Sequence, residues 1–141
     1  MAKARKEIEL AVRVGNEPAA LGQVLSTVAA AGLNILAYCS YSEREETVVL
    51  LVADNPFNAK RALEAAGFSC KANSVVLAGA ADQVGGAAFL GAQLGHAGID
   101  ILYSYASSSG SNQFFAVFKT GDDQKAIHVL EGTRTSRARA A

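Results

Sequence analysis

Few side chains in this 141-residue sequence can do covalent chemistry, and their spacing brings no reactive set together. His96 lies beside Gly95, and His128 falls on the polar face of a helical segment. Neither has a Cys, Ser or acidic residue at a telling spacing, so neither is expected to act as a base or a metal ligand. Cys39 and Cys70 stand singly, without CxxC or a Cys/His cluster, and read as small apolar residues in strands rather than a metal site. The serines of 107–111 lack the Gly-x-Ser-x-Gly of a nucleophile elbow and read as a hairpin turn. Glu43, Glu45 and Glu46 are a solvated turn, not a paired acid and base. No Walker loop and no GxGxxG is present, and no cofactor is called for. Arg13 sits mid-strand, where it cannot form the phosphate-cradling turn that a small phosphatase needs. The remaining polar residues and glycines of interest stand where segments begin: Asn16, Asn34, Asp82, Gly85, Gly86 and Asp100. These suit hydrogen bonding and close backbone approach, not bond breaking.

The composition describes a chain that buries a core. Half of the residues are apolar and 18% are charged, enough for one ordinary domain or two small ones. No apolar run approaches the ~20 residues of a membrane span. The basic start leads directly into Glu7 and Glu9, which does not read as a signal peptide, and a cytoplasmic protein is expected. Charge balances overall but is unevenly placed. Lys3, Arg5 and Lys6 precede the first apolar segment, and Arg134, Arg137 and Arg139 follow the last. Without those six, residues 7–133 hold 7 Lys+Arg against 13 Asp+Glu. An acidic body argues against a surface that grips nucleic acid, and the basic ends read as solvated tails more readily than as nucleic-acid arms.

The elements that must place these residues occur twice. Gly32-Leu-Asn-Ile-Leu-Ala-Tyr-Cys-Ser-Tyr41 returns, 66 residues later, as Gly98-Ile-Asp-Ile-Leu-Tyr-Ser-Tyr-Ala-Ser107. The same shift lays residues 10–14 on 76–80, Asn16 on Asp82, and 48–52 on 114–118. The first copy predicts a strand over 7–14, with Ile8, Leu10, Val12 and Val14 on one face. A helix starts at Asn16-Glu17-Pro18, is apolar at Leu21, Val24, Leu25 and Val28, and stops at Gly32. Strands over 33–41 and 47–53 follow, then a helix from Asn55-Pro56 with Phe57, Leu63 and Ala66 for its buried side, then a short strand 68–72. The second copy repeats this with a strand 74–80, a helix 84–97 after Asp82 as a possible N-cap, strands 99–107 and 113–119, and a last helix opened by Gly121 or Asp122. Nothing apolar follows Gly132, so this copy lacks a fourth strand and must take one from elsewhere in the chain or from a second molecule. Residues 68–80 are too short for a free linker and predict one long, bent or split strand. The expected organisation is one unit over 6–72, a second over 73–132 and a basic tail over 133–141.

Such βαββαβ units form α+β folds, each an antiparallel sheet with both helices on one face. The helix-free face shows few aromatics beyond Tyr38 or Tyr41, so the stacking platform of an RNA binder is missing, and apolar strands point instead to sheet packing and dimerisation. The paired pattern resembles ACT domains, whose signature is roughly Asp-x-Pro-Gly-x-Leu, a helix, then Gly-x-Asn-Ile. The first copy offers Asn16-Glu17-Pro18-Ala19-Ala20-Leu21 and Gly32-Leu33-Asn34-Ile35; the second offers Asp82-Gln83-Val84-Gly85-Gly86-Ala87 and Gly98-Ile99-Asp100-Ile101. The resemblance spans about residues 6–132 and is closest to small stand-alone tandem ACT proteins. It departs at Ala19, where the family has Gly, and at Val84, where it has Pro.

The resemblance implies two ferredoxin-like units and a non-catalytic regulatory module that binds a small ligand, most simply an amino acid, at interfaces between ACT units. Helix-start amides at Asn16, Ala19, Asp82, Gly85 and Gly86 would hold the ligand carboxylate, and Asn34 or Asp100 its ammonium. Each residue has a plainer alternative: helix capping for Asn16 and Asp82, a turn residue for Asn34 and Asp100, chain flexibility for the glycines. A homodimer is the expected assembly, with no membrane or nucleic-acid partner. The alternative function is a structural or protein-interaction module that has lost its ligand.

Overall fold

A computed structural model describes residues 3–140, with side chains through residue 132. The elements run β1 (Lys3–Gly15), α1 (Ala20–Ala30), β2 (Ile35–Glu43), β3 (Glu46–Ala53), α2 (Pro56–Ala65), β4 (Ser69–Ala81), α3 (Gly86–His96), β5 (Ile101–Ser108), β6 (Gln113–Thr120) and α4 (Asp123–Ala140). They form two compact units: an N-terminal unit, Ile8–Asn73, and a C-terminal unit, Met1–Glu7 with Ser74–Ala141.

In the N-terminal unit the strands lie in the order β2-β3-β1-β4. Alternation sets the faces. Leu10 pairs with Leu51 and Val12 with Val49, and these residues point at the helices. α1 meets them with Ala20, Val24 and Val28, spaced by four so that one stripe is apolar. α2 contributes Ala59 and Leu63, again four apart. Phe57 was expected on that buried side but is 81% exposed. It precedes Ala59 by two positions, about 200° around the helix, so both cannot face the sheet. β3 reads as a near-continuous apolar run because it is buried on both faces: Val48, Leu50 and Val52 are buried as well as Val49 and Leu51.

The C-terminal unit has the order β1-β4-β6-β5. Val76, Ala78, Ala116 and Phe118 face Leu90 and Leu94 of α3 and Ala126 and Leu130 of α4. The strand missing after α4 is supplied by the first residues of β1. Ala4 is buried in this core, and its N–H donates to Glu131 Oε1 on α4 at 3.1 Å. The segment read as a basic tail or nucleic-acid arm is therefore strand, with Lys3 and Arg5 exposed on either side of Ala4. The sequence pattern does not show this strand because Ala4 is the one buried side chain among residues 3–6 and carries little hydropathy. β4 serves both units, its first five residues in the N-terminal one and the rest in the C-terminal one. At the other end, α4 continues past Gly132 through the backbone of the expected tail to Ala140.

Two outcomes follow from this packing. Deleting residues 1–6 should speed amide exchange in 74–81 and 123–132 by at least about tenfold while α1 and α2 keep their protection. Exchange mass spectrometry checks this, and equal loss in both units would contradict the shared strand. The second concerns Cys70, which packs against the N-terminal core. Burial pushes its thiol up from 9.0 to about 11, with Lys60 lowering it and Glu64 raising it. Because the folded value lies above the unfolded one, the neutral thiol's contribution is complete below pH 9 and is lost as pH rises through about 11. In a Cys39→Ser chain, the alkylation rate should still be climbing at pH 10; a plateau by pH 9 would refute the shift.

Candidate functional site

The turn between β1 and α1 is tied to the hairpin between β2 and β3. Asn16 Oδ1 accepts from the hydroxyls of Ser42 at 3.2 Å and Thr47 at 3.0 Å, and the Asn16 N–H donates to the Glu45 carbonyl at 3.3 Å. The second turn is built alike. The Asp82 carboxylate accepts from the Ser108 hydroxyl, and its N–H donates to the Asn112 carbonyl at 3.0 Å. The 66-residue shift carries Asn16 to Asp82 and Ser42 to Ser108, so one brace occurs twice. The shift by 66 residues pairs these two serines in the sequence itself, although residue type alone marks neither.

The brace replaces the capping expected of Asn16 and Asp82. α1 begins four residues after Asn16 and α3 four after Asp82, so the N-cap positions fall to Ala19 and Gly85. Neither supplies a side-chain cap, and neither first turn contains an acidic residue. The other two helices are closed: Asn55 accepts from the Asn58 N–H at 3.1 Å, and Asp122, just before α4, accepts from the Lys125 N–H at 3.1 Å. The first amides, of Ala20 and Gly86, donate to the Glu17 and Gln83 carbonyls at 3.1 and 3.0 Å, and the uncapped first turns beyond them leave donors and the positive end of the helix dipole for something else.

The strand starts are arranged similarly. Asn34 exchanges hydrogen bonds with Asp54: its N–H donates to Asp54 Oδ1 at 3.2 Å, and its carbonyl accepts from the Asp54 N–H at 3.0 Å. The Asp100 carbonyl accepts from the Gly121 N–H at 2.9 Å. Both side chains are exposed. β2 and β5 then each break register, between Ile35 and Ala37 and between Ile101 and Tyr103, leaving Leu36 and Leu102 exposed.

A family model described as an ACT domain pair matches residues 7–135. The chain belongs to the ACT domain pair family. The fold of this ACT pair is similar to protein BT0572 from Bacteroides thetaiotaomicron, at 22% identity and a TM-score of 0.85, covering 93% of this chain and 90% of that one. It is similar to the regulatory subunit of aspartate kinase from Thermus thermophilus in its ligand-free form, at 11% identity and 0.70, covering 93% and 95%. It also overlays Clostridium acetobutylicum aspartate kinase at 14% identity and 0.60, covering 92% of this chain but 33% of that enzyme. No curated protein matches the sequence.

Within each unit of the ACT pair, the braced turn and the strand start do not meet. Asn16 sits at the Thr47 end of β3 and Asn34 at the Asp54 end, an eight-residue strand that spans roughly 25 Å. Asp82 and Asp100 are divided in the same way along β6. The two turns also differ in backbone. Gly85 is left-handed at φ 85, where Ala19 is right-handed at φ −84. At Gly86 a Cβ would lie 3.1 Å from the Ala81 carbonyl oxygen, so the close approach there is made by this chain itself. His96 and His128 are exposed on their helices, and no group of three metal-ligating side chains exists among the described residues. No described helix is long and apolar enough to cross a membrane.

Gly85→Ala should cost about 1–2 kcal/mol, because only glycine adopts that φ without strain. An Asp82→Ala/Ser108→Ala double-mutant cycle in urea should show a coupling of about 1 kcal/mol. Strict additivity would mean that the repeated brace contributes nothing to the fold.

Proposed function

We propose that this ACT pair is a non-catalytic regulatory module that binds a small zwitterion, in the simplest case a free amino acid. One observation carries the reading: of the four helices, α1 and α3 start without a side-chain cap, at equivalent positions of the repeat, while Asn55 and Asp122 close α2 and α4. A ligand carboxylate beside Ala19 at the start of α1, or beside Gly85 at the start of α3, would supply an acceptor there and meet the favourable end of the dipole, whereas the Gly86 N–H already donates to the Gln83 carbonyl. Asn16 and Asp82 hold those turns in shape. Asp100 is the counterpart for the ammonium, and Asn34, being neutral, the weaker one. A free amino acid is far shorter than the roughly 25 Å between turn and strand start of one unit, so a ligand using both would take the turn of one ACT unit and the strand start of another. A homodimer would present such pairs, and the exposed Leu36 and Leu102 supply apolar surface for assembling it. Binding would then shift an assembly or partner equilibrium by its differential affinity for the two states. That a fold of this kind serves as the regulatory subunit of an aspartate kinase supports the regulatory role.

Scanning fluorimetry with each free amino acid tests this. At a concentration of 100 times Kd, the responding ligand should stabilise by ~2.7 kcal/mol. Asp100→Ala should remove most of that gain while leaving the unliganded melting temperature within a degree or two. No response from any amino acid would leave the interaction-only module, which the departures Ala19 and Val84 favour. Light scattering on the same samples should report twice the 14.6 kDa chain mass.

A further inference from the structure

The C-terminal unit has a cleft on the sheet face away from α3 and α4. Ala4, Val76, Ala78, Ala116 and Phe118 face the helices. Alternation therefore turns Lys3, Arg5, Gly79, Ala81 and Phe115 the other way, and these line a cleft of about 530 Å³ together with Gln113. Every lining residue belongs to this one unit. The volume falls within the roughly 300–1,000 Å³ of small-molecule sites.

Its chemistry is polarised. The strand order β1-β4-β6 places the two cations on one outer strand and Phe115 two strands away, about 10 Å across the sheet. Between them β4 presents Gly79 and Ala81, the smallest side chains available, and so a low floor. Gly79 pairs with Phe115, whose ring lies 3.5 Å from where a Gly79 Cβ would sit. The ring is 42% exposed and offers an edge and part of a face to a planar group resting over Gly79. Arg5 is steadied by Glu7, Nε to Oε1 at 2.8 Å, and keeps its other guanidinium nitrogens for an anion, while Lys3 has no ion pair among the described residues. The charged row Lys3, Arg5, Lys6 and Glu7 also disfavours addition of a strand from a second copy along this edge.

We propose that this cleft binds a small aromatic carboxylate, with the ring against Phe115 over Gly79 and the carboxylate on Lys3 and Arg5. The cleft adjoins the second braced turn, because Asn112 lines it and accepts from the Asp82 N–H, but Lys3, Arg5 and Phe115 take no part in the proposed amino-acid function, so the proposal stands or falls without it. The test is amide chemical-shift mapping of the full chain, using indole-3-acetate as the probe, with indole and acetate as controls lacking the carboxylate and the ring. Indole-3-acetate should give saturable shifts at residues 3–5, 77–81 and 113–115, with Kd below about 1 mM. Each control should bind at least about tenfold more weakly. Lys3→Ala/Arg5→Ala alters only exposed side chains and should weaken binding by about tenfold or more with the melting temperature kept; Phe115→Ala should weaken it as well. Absence of saturable shifts in that set overturns the proposal, as do shifts that the double variant leaves unchanged. Shifts centred instead on 82–88 and 99–102 would assign the probe to the other site and overturn this one. Shifts at the cleft on concentrating the protein alone would make a second copy the occupant, with the same consequence.

Discussion

Every strand inside a sheet must pair its backbone groups on both sides, and the C-terminal unit meets that requirement only by taking its outermost strand from the start of the chain. Ala4 is the residue that shows it, buried between Val76 and Leu130 and bonded through its N–H to Glu131. The remainder of the architecture adjusts to this. β1 and β4 are each 13 residues long because each serves both units, and the second copy ends in a helix because its fourth strand has already been supplied.

The repeat made most of the fold readable. Alternation at Leu10 and Val12, four-residue spacing at Val24 and Val28, and the doubled Gly-x-Asn/Asp-Ile segments each point to one element, and together to two βαββαβ units. The failures have local causes. Phe57 looked like a core residue because hydropathy ignores the angle around a helix. Lys3–Lys6 looked like a tail because three charges outweigh one buried alanine. Asn16 and Asp82 looked like caps because residue type suggests capping, whereas three residues of turn separate them from their helices. Their actual partners, Ser42 and Ser108, lie 26 positions away in sequence, a separation at which propensity is silent and only the repeat speaks.

The duplicated turns have not stayed chemically equal. Asn16 is neutral and satisfied by two hydroxyls, whereas Asp82 brings a carboxylate to the same position, close to the open start of α3. A negative charge there competes with any anion approaching those amides, while Gly85, with nothing near its missing Cβ, opens the backbone more than Ala19 does. Charge thus favours the first turn and shape the second, which makes the two ends of the repeat unequal in the selectivity they can offer.

The hydrogen bond from Ala4 to Glu131 spans 127 positions. During synthesis on the ribosome, residues 8–73 hold everything their own core requires and can collapse as soon as they emerge. The short stretch ahead of them must wait, exposed and charged, until the last helix has been translated and the large loop-closure entropy can be offset. Residues 3–7, made before either core, are thus among the last to find their place, and their charge disfavours pairing of that waiting segment with a neighbouring nascent chain.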